Sequence, residues 1–344
     1  MPDPLIALLV GCVLLGAGLL LFWPRGGLIG YFRRVQQMSD RVLREDALKQ
    51  IHKSERHGQQ TTVESLAGSL QISENQAADL VVDMQDIQLV AEEGDELQLT
   101  PEGRRYALQI IRAHRLWERY LAHETGYSEE EWHDQADRYE HLLPPEATDA
   151  LDVKLGRPTH DPHGDPIPTA DGELILHGGR PLTDMSLNQA LQIVHLEDEP
   201  EAVYAQLLAE GIYPGMQVRL LEYSSQRVRF WAAGDEHLLA PMVAANISVV
   251  PIPQEIPIEA EAGVPLSLLL PGEKGEVVDL SPRLRGPERR RLMDLGILPG
   301  TEIEATMSAP GGEPIAYRIR GALIALRREQ ASLIRISKMQ ENYS

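Results

Sequence analysis

Residues 113–141 constrain the fold of this chain more than any other stretch, because they set imidazoles and carboxylates at helical spacing on two successive segments. His114 and Glu118 stand four residues apart, as do His133 and Asp137. Glu140 and His141 follow seven and eight residues after His133, so all four groups share one stripe of a helix. A single acid four residues from a histidine is ordinarily a surface pair. Here Trp117, Trp132, Tyr139 and Leu142 are interleaved with the charged groups and would desolvate a cluster that lacked a counter-ion. Two such stripes facing each other form a nitrogen-and-oxygen cage for a divalent metal. No thiolate is at hand, since the only cysteine, Cys12, lies far upstream in an apolar run.

That run supplies a second constraint. Residues 5–23 carry no charge and as a helix would span about 28 Å, the thickness of a bilayer core. Met1-Pro2-Asp3-Pro4 lacks the basic start of a signal peptide, and Phe22-Trp23 resembles an interfacial anchor. The expectation is a single-pass transmembrane helix. Arg25, Arg33, Arg34, Arg41 and Arg44 follow it and place the C-terminal domains in the cytoplasm by the positive-inside rule. The 344 residues carry 32 Lys and Arg against 52 Asp and Glu, a formal net charge of -20. A polyanion is repelled on average unless a local basic face overrides that total. A lone cysteine excludes a disulfide framework.

Along the chain, a helical pattern from Glu45 through Leu48 and Ile51 is followed by a short helix over residues 63–70. Ser73 caps a third, with Ala77, Leu80, Val81 and Met84 on its apolar side. Two short strands flank Glu93-Gly94-Asp95, which completes the order of a winged helix-turn-helix. Thr100-Pro101 caps a long helix carrying His114 and Glu118, Ser128 to Glu131 opens the helix carrying His133, and Pro144-Pro145 closes it. Residues 158–179 are rich in Pro, Gly and His and read as a linker, with ligation by His160, Asp161, His163 or Asp165 the sharper alternative. Beyond it Gly211-Ile212-Tyr213-Pro214-Gly215 recurs as Gly296-Ile297-Leu298-Pro299-Gly300. In both copies a short amphipathic helix precedes the motif and β-rich segments follow it.

His114 to Arg119, the nine residues His133 to His141, and Gly164-Asp165-Pro166-Ile167-Pro168 together resemble the diphtheria-toxin-repressor family over about residues 45–168. The resemblance implies a metal-dependent winged-helix regulator that senses Fe²⁺ or Mn²⁺ and forms a homodimer. It places Asp46, Asp137, Glu140 and His141 on one metal site and His114, Glu118 and His133 on an ancillary one. Asp46 would tie the first helix to the dimerisation helices. Asp137 stands where iron-sensing members carry cysteine, which is closer to the manganese-transport-regulator branch. Lys49 falls where some of those proteins are acidic. The repeats resemble the ferrous-iron-transport protein A module, an SH3-like barrel, through Pro271-Gly272, Arg291 to Gly296 and Leu323 to Arg327 in the second copy. Such modules imply a protein partner, notably a ferrous-iron transporter.

The implied fold class is multidomain: a transmembrane helix, a winged helix-turn-helix with a helical metal-binding and dimerisation domain, then two small SH3-like β-barrels. The expected divisions are residues 1–26 (anchor), 27–105 (juxtamembrane segment and winged helix), 106–168 (metal binding and dimerisation), 169–182 (linker), 183–252 (first barrel), 253–263 (linker) and 264–338 (second barrel). One departure bears on output. Between His57 and Gly103 there is no Lys or Arg, while Glu74, Asp79, Asp83 and Asp86 crowd the reading helix. Ser73, Asn75 and Gln76 are the candidate DNA contacts, without phosphate anchors beside them. A salt-adapted proteome gives its DNA binders the same acidic surface. Two functions therefore stand: a membrane-anchored Mn²⁺/Fe²⁺-responsive transcriptional regulator, or a non-DNA-binding accessory protein of a ferrous-iron transporter with the winged head as scaffold. The arginines 283, 285, 289, 290 and 291 form either a solvated face or a surface for an acidic partner. No nucleophile triad, phosphate loop or open-site base emerges, so an enzyme is not expected.

Overall fold

The computed structural model describes residues 28–175, 178–233, 235–253 and 263–339, with side chains from residue 40 onward. The expected anchor, residues 5–23, lies outside these. No helix among the described residues is long and apolar enough to cross a membrane, and the single-pass placement is corrected accordingly. Helix α1, Leu28–Arg56, covers the segment assigned to the juxtamembrane region and begins well before the Glu45 start expected from periodicity. Its described part buries Ala47, Leu48 and Ile51 in a protein core.

The chain divides into two compact units, the first comprising residues 1–112 and 170–172. In the first, α2 (Val63–Leu70) and α3 (Glu74–Asp86) each begin with a reciprocal cap. Thr62 pairs with Ser65 and Ser73 with Gln76, so donors that the helix leaves orphaned are satisfied locally. Strands β1 (Val90–Glu93) and β2 (Glu96–Leu99) form an antiparallel hairpin through Gly94, whose φ of 70° suits the turn. Leu66, Leu80, Val81, Met84, Leu97 and Leu99 close on the α1 residues as one core. Helix α4 (Pro101–Glu124) starts under the hairpin, where the Thr100 hydroxyl accepts from Gly103 N at 3.0 Å. Gly103 is required there, since a Cβ would stand 1.9 Å from the Leu89 carbonyl oxygen.

The second unit holds residues 113–169 and 173–344. After α4 come α5 (Trp132–Glu140) and α6 (Pro145–Lys154). Pro145 therefore not only ends one helix but opens the next, at the position where its missing N–H costs nothing. The repeats are two antiparallel six-stranded sheets with the same topology. The first runs β3 (Arg180–Pro181), β4 (Ala190–Leu196), β5 (Gln217–Tyr223), β6 (Val228–Ala232), β7 (Asp235–Leu239) and β8 (Ile247–Pro251), in spatial order β3-β8-β4-β5-β6-β7. The second runs β9 (Val264–Pro265), β10 (Lys274–Leu280), β11 (Glu302–Ser308), β12 (Ile315–Ile319), β13 (Ala322–Leu326) and β14 (Ile334–Lys338), in order β9-β14-β10-β11-β12-β13. Helix α7 (Glu201–Ala209) precedes the glycine motif in the first. Helix α9 (Gly286–Asp294) does so in the second, with α8 (Pro241–Ala244) between them in sequence. Both glycines of each motif take positive φ: 73° and 95° at Gly211 and Gly215, 86° and 84° at Gly296 and Gly300. That backbone explains why the repeat keeps glycine at both ends of the turn. Alternate residues fill each core, Val218, Leu220 and Phe230 in one and Ile303, Ala305 and Tyr317 in the other.

The arginine cluster is turned partly onto its own chain. The Arg285 guanidinium lies 5.4 Å over the Trp132 ring and 3.7 Å from Glu129, and Arg290 stands 3.5 Å from Glu124. Gly286 abuts the carbonyl end of α4, where a Cβ would meet Thr125 O at 2.9 Å. Burial, with Arg119 and Arg285 nearby, pushes the His123 imidazole down to about 4.

Two outcomes follow from these contacts. Gly103→Ala should cost about 1–3 kcal/mol, read as a lowered urea midpoint at unchanged slope; an unchanged midpoint would refute the close approach. Because the fold favours neutral His123, stability should fall as pH drops from about 6.5 to about 4, while the unfolded chain takes up the proton first. His123→Phe should show a smaller Tm loss between pH 7 and pH 5 than the wild type.

Candidate metal centre

Helix α4 presents His114 and Glu118 one turn apart, and α5 presents His133, Asp137 and Glu140, with His141 following its last turn. Packing of the two helices puts the His114 ring at the centre. Its Nδ1 lies 2.6 Å from Glu140 Oε2 and 3.2 Å from Asp137 Oδ1, while Nε2 lies 3.0 Å from Glu118 Oε1. His114 thus touches both residue sets that the resemblance kept apart. His133 Nδ1 stands 3.4 Å from Glu118 Oε1, and its ring meets that of His114 edge-on at 4.9 Å. His141 Nε2 lies 3.3 Å from Glu140 Oε1. Ligand atoms of His114, Glu118 and His133 fall within 4.8 Å of one another, and so do those of His114, Asp137 and Glu140. Asp46 sits half-buried on α1 in the first unit, beside Glu45, which accepts a hydrogen bond from the Tyr106 hydroxyl at 2.6 Å.

Glu118 and Glu140 are only 1% and 3% exposed. Two buried carboxylates are costly unless positive charge sits beside them. Burial works to raise the Glu118 carboxyl, but the imidazoles of His114 and His163 outweigh it and hold Glu118 well below the usual carboxylate range. Burial likewise works to lower His133, and Asp198 and Glu118 overcome it, raising the imidazole to about 10. The cluster therefore attracts positive charge at a point lined by imidazole nitrogen and carboxylate oxygen. That donor set suits Mn²⁺ or Fe²⁺, and His133 Nδ1, buried 3.1 Å from Asp198 Oδ2 and 3.4 Å from Glu118 Oε1, stands among carboxylate oxygens as a ligand nitrogen would.

Asp198 was not singled out from sequence, and Asp161, His163 and Asp165 were read there as linker residues, with metal ligation the alternative. The segment read as a linker is pinned at both sides. The Asp161 carboxylate accepts from the backbone N–H groups of His163 and Asp165, both at 2.9 Å. The Arg115 guanidinium donates to Asp165 at 2.8 Å, and Leu196 N donates to the His163 carbonyl at 2.9 Å. Arg115 and His195 hold Asp165 well below its ordinary range despite burial. His163 and, from the loop after β4, Asp198 are thereby brought to Glu118 and His133. The alternation of acid, proline, histidine and glycine in Asp161-Pro162-His163-Gly164-Asp165 was a usable signal for a fixed turn. Nothing local marks Asp198.

In the head, the Ser73 hydroxyl and the Gln76 side-chain carbonyl are joined at 2.9 Å within the α3 cap. Two of the three candidate DNA contacts are therefore engaged in starting the helix, and Asn75 is exposed next to Glu74. Asp79, Asp83 and Asp86 are exposed as well.

Residues 100–169 match the family described as iron dependent repressor, metal binding and dimerisation domain, and residues 264–338 match the FeoA domain. The iron-dependent repressor IdeR of Mycobacterium leprae is 29% identical over 166 residues, covering 44% of this chain and 70% of that protein. The diphtheria toxin repressor of Corynebacterium efficiens is 42% identical over 72 residues, which cover 21% of this chain and 31% of that protein. A solved manganese-dependent transcriptional repressor in complex with manganese shares 29% identity and a TM-score of 0.57, over 61% of this chain and all of that one. The metal-binding and FeoA resemblances read from the motifs are thus matched. A helical N-terminal region like that of those repressors, followed by β-rich domains, agrees with them.

Replacing His114 by Ala leaves Glu118 and Glu140 buried without their shared imidazole. The loss in metal-free protein should be about 3–5 kcal/mol in urea unfolding. A loss below about 1 kcal/mol would mean that the carboxylates are neutralised from elsewhere.

Proposed function

We propose that this chain is a non-enzymatic, Mn²⁺- or Fe²⁺-responsive transcriptional regulator of iron or manganese homeostasis, acting as a homodimer through the helices around residues 114–143. The observation that carries it is the buried His114 ring shared by Glu118, Asp137 and Glu140 in a chain that also bears a winged helix-turn-helix. Metal ligation by His114, Glu118, His133, Asp137, Glu140 and His141 would replace protons with a divalent cation and lock α4 against α5. The resemblance adds Asp46, on the helix that enters the head, as the residue through which occupancy reaches DNA. Ser73, Asn75 and Gln76 are the contacts available at the head, with Ser73 and Gln76 acting mainly through the helix cap.

A second reading is favoured by one observation: α3 exposes Glu74, Asp79, Asp83 and Asp86, with no basic residue between His57 and Gly103. In that reading the head is a protein-binding scaffold, the chain an accessory protein that does not bind DNA. A ferrous-iron transporter would be its partner.

Fluorescence anisotropy of the full chain with DNA from its own upstream region, with and without Mn²⁺, separates the two. Regulation predicts metal-dependent binding that weakens with salt and is lost in Asp137→Ala, His141→Ala. The salt slope should be shallower than the roughly -6 to -10 of a repressor with that many phosphate contacts, because the acidic helix offers few. No binding at low salt, by protein that calorimetry shows to take up Mn²⁺, would overturn regulation and leave the scaffold.

A further inference from the structure

In both β-sheet domains a short loop joins a long strand to the helix before the glycine motif, residues 197–200 between β4 and α7 and residues 281–285 between β10 and α9. The two loops carry opposite charge: Glu197, Asp198 and Glu199 in the first, Arg283 and Arg285 in the second. They converge on successive residues at the start of α5. Asp198 Oδ2 stands 3.1 Å from His133 Nδ1, and the Arg285 guanidinium lies 5.4 Å over the ring of Trp132.

Arg285 is held for that contact by its surroundings. Its Nε donates to the Pro282 carbonyl at 3.2 Å, its Nη1 faces Glu129 Oε1 at 3.7 Å, and the next residue, Gly286, abuts the carbonyl end of α4. The side chain is 15% exposed, and Nη1 is buried with no hydrogen bond among the described residues. A guanidinium taken out of water in this way is costly unless the aromatic face and the carboxylate beside it replace the lost hydration. Arg283 Nη1 lies 3.4 Å from where a Cβ of Gly211 would stand, so the same loop also meets the glycine turn of the first sheet domain.

Trp132 carries the contact inward. It is 4% exposed, its indole N–H donates to the Tyr127 carbonyl at 3.1 Å, and it packs with Leu121 and Ala122 of α4. Glu129 lies on the single 3-10 turn that leads into α5, Trp132 is the first residue of that helix, and His133 is the next. A backbone rotation at Trp132 therefore moves the His133 ring against Glu118, 3.4 Å away. Among the described residues, none of the clustered histidines and carboxylates comes from residues 264–338.

We propose that Arg285 is a positioning residue for His133: the second β-sheet domain supplies no ligand, yet it clamps Trp132 and Glu129 and so fixes the first turn of α5, from which the metal-facing imidazole projects. Withdrawing the loop of residues 281–285 loosens His133 and weakens its hold on a cation. The inference rests on the metal-responsive reading and adds to it a task for the second sheet domain.

Hydrogen exchange of the metal-free full chain, read by mass spectrometry, and Mn²⁺ calorimetry test it in Arg285→Ala, with Arg290→Ala as the control. Arg290 holds the same helical domain through Glu124 of α4, 3.5 Å away. Arg285→Ala should quicken exchange in peptides spanning residues 127–134 at least about threefold and weaken Mn²⁺ binding about three- to tenfold, less than the loss of a group bonded directly to a ligand. Arg290→Ala should change neither. Both changes are required: wild-type exchange in residues 127–134, or wild-type Mn²⁺ affinity, in folded Arg285→Ala would overturn the inference and leave the metal-responsive reading standing. Equal effects from Arg290→Ala would overturn it as well, since docking of the domain would then explain them. Circular dichroism checks that Arg285→Ala is folded; should it not be, Glu129→Gln, which breaks the same contact from the partly exposed start of the helix, decides by the same two readouts. A wild-type chain that takes up no Mn²⁺ would overturn the metal-responsive reading and, with it, any part of Arg285 in metal affinity.

Discussion

The buried triad of Glu118, His114 and Glu140 is the constraint on which the second unit depends. Carboxylates that are 1% and 3% exposed are retained in a folded interior only with positive charge within a few ångströms. His114 provides it to both, from opposite ring nitrogens, at 3.0 Å and 2.6 Å. This fixes the rotation of α4 against α5, because turning either helix by one residue would carry a carboxylate away from the ring. It also makes the helix pair responsive to whatever supplies positive charge, whether protons on the imidazoles or a cation among them.

The connector and the first β-sheet domain extend the same electrostatic problem outward. Arg115, one residue beyond His114, leaves the cluster and binds Asp165, so α4 serves the acidic centre on one face and anchors the connector on the next. The connector in turn accepts a backbone hydrogen bond from Leu196 at the end of β4. Asp198 follows two residues later and reaches His133 at 3.1 Å. The β-sheet domain is therefore held by charge and by backbone pairing at the place where its acidic loop meets the histidine and carboxylate cluster. The second sheet domain uses a different device, an arginine at a helix start placed over Trp132 and beside Glu129. Duplicated topology has thus been docked twice by unlike contacts.

The head obeys a separate logic. Its core is apolar, and its helices are capped by Thr62 with Ser65 and Ser73 with Gln76, so local caps and apolar packing account for how its elements close on one another. Its surface is the unusual part. Counter-ion release from phosphate is the main source of sequence-independent DNA affinity, and α3 carries the opposite charge. A head of this composition would have to gain affinity from Arg and Lys outside residues 57–103, from base contacts, or from pairing two copies. The alternative is that it meets a protein instead.

Much of this organisation was legible in the sequence because its signals are local. Capping residues, the two-residue turn at Gly94 and the glycine motif with positive φ at both ends depend on neighbours a few positions away, and they marked the winged helix and the repeat. Helical spacing likewise determined that His114 and Glu118, and His133, Asp137 and Glu140, share faces. Periodicity extended one element too little, since α1 begins at Leu28, and the apolar stretch read as an anchor lies outside the described residues. Tertiary structure alone decided that His114 joins both sets, that a supposed linker buries His163, and that Asp198 arrives from a β-sheet loop. Those facts depend on which faces of distant elements meet. Burial energy and charge compensation set that meeting across tens of residues, and no spacing rule within one helix or strand encodes it.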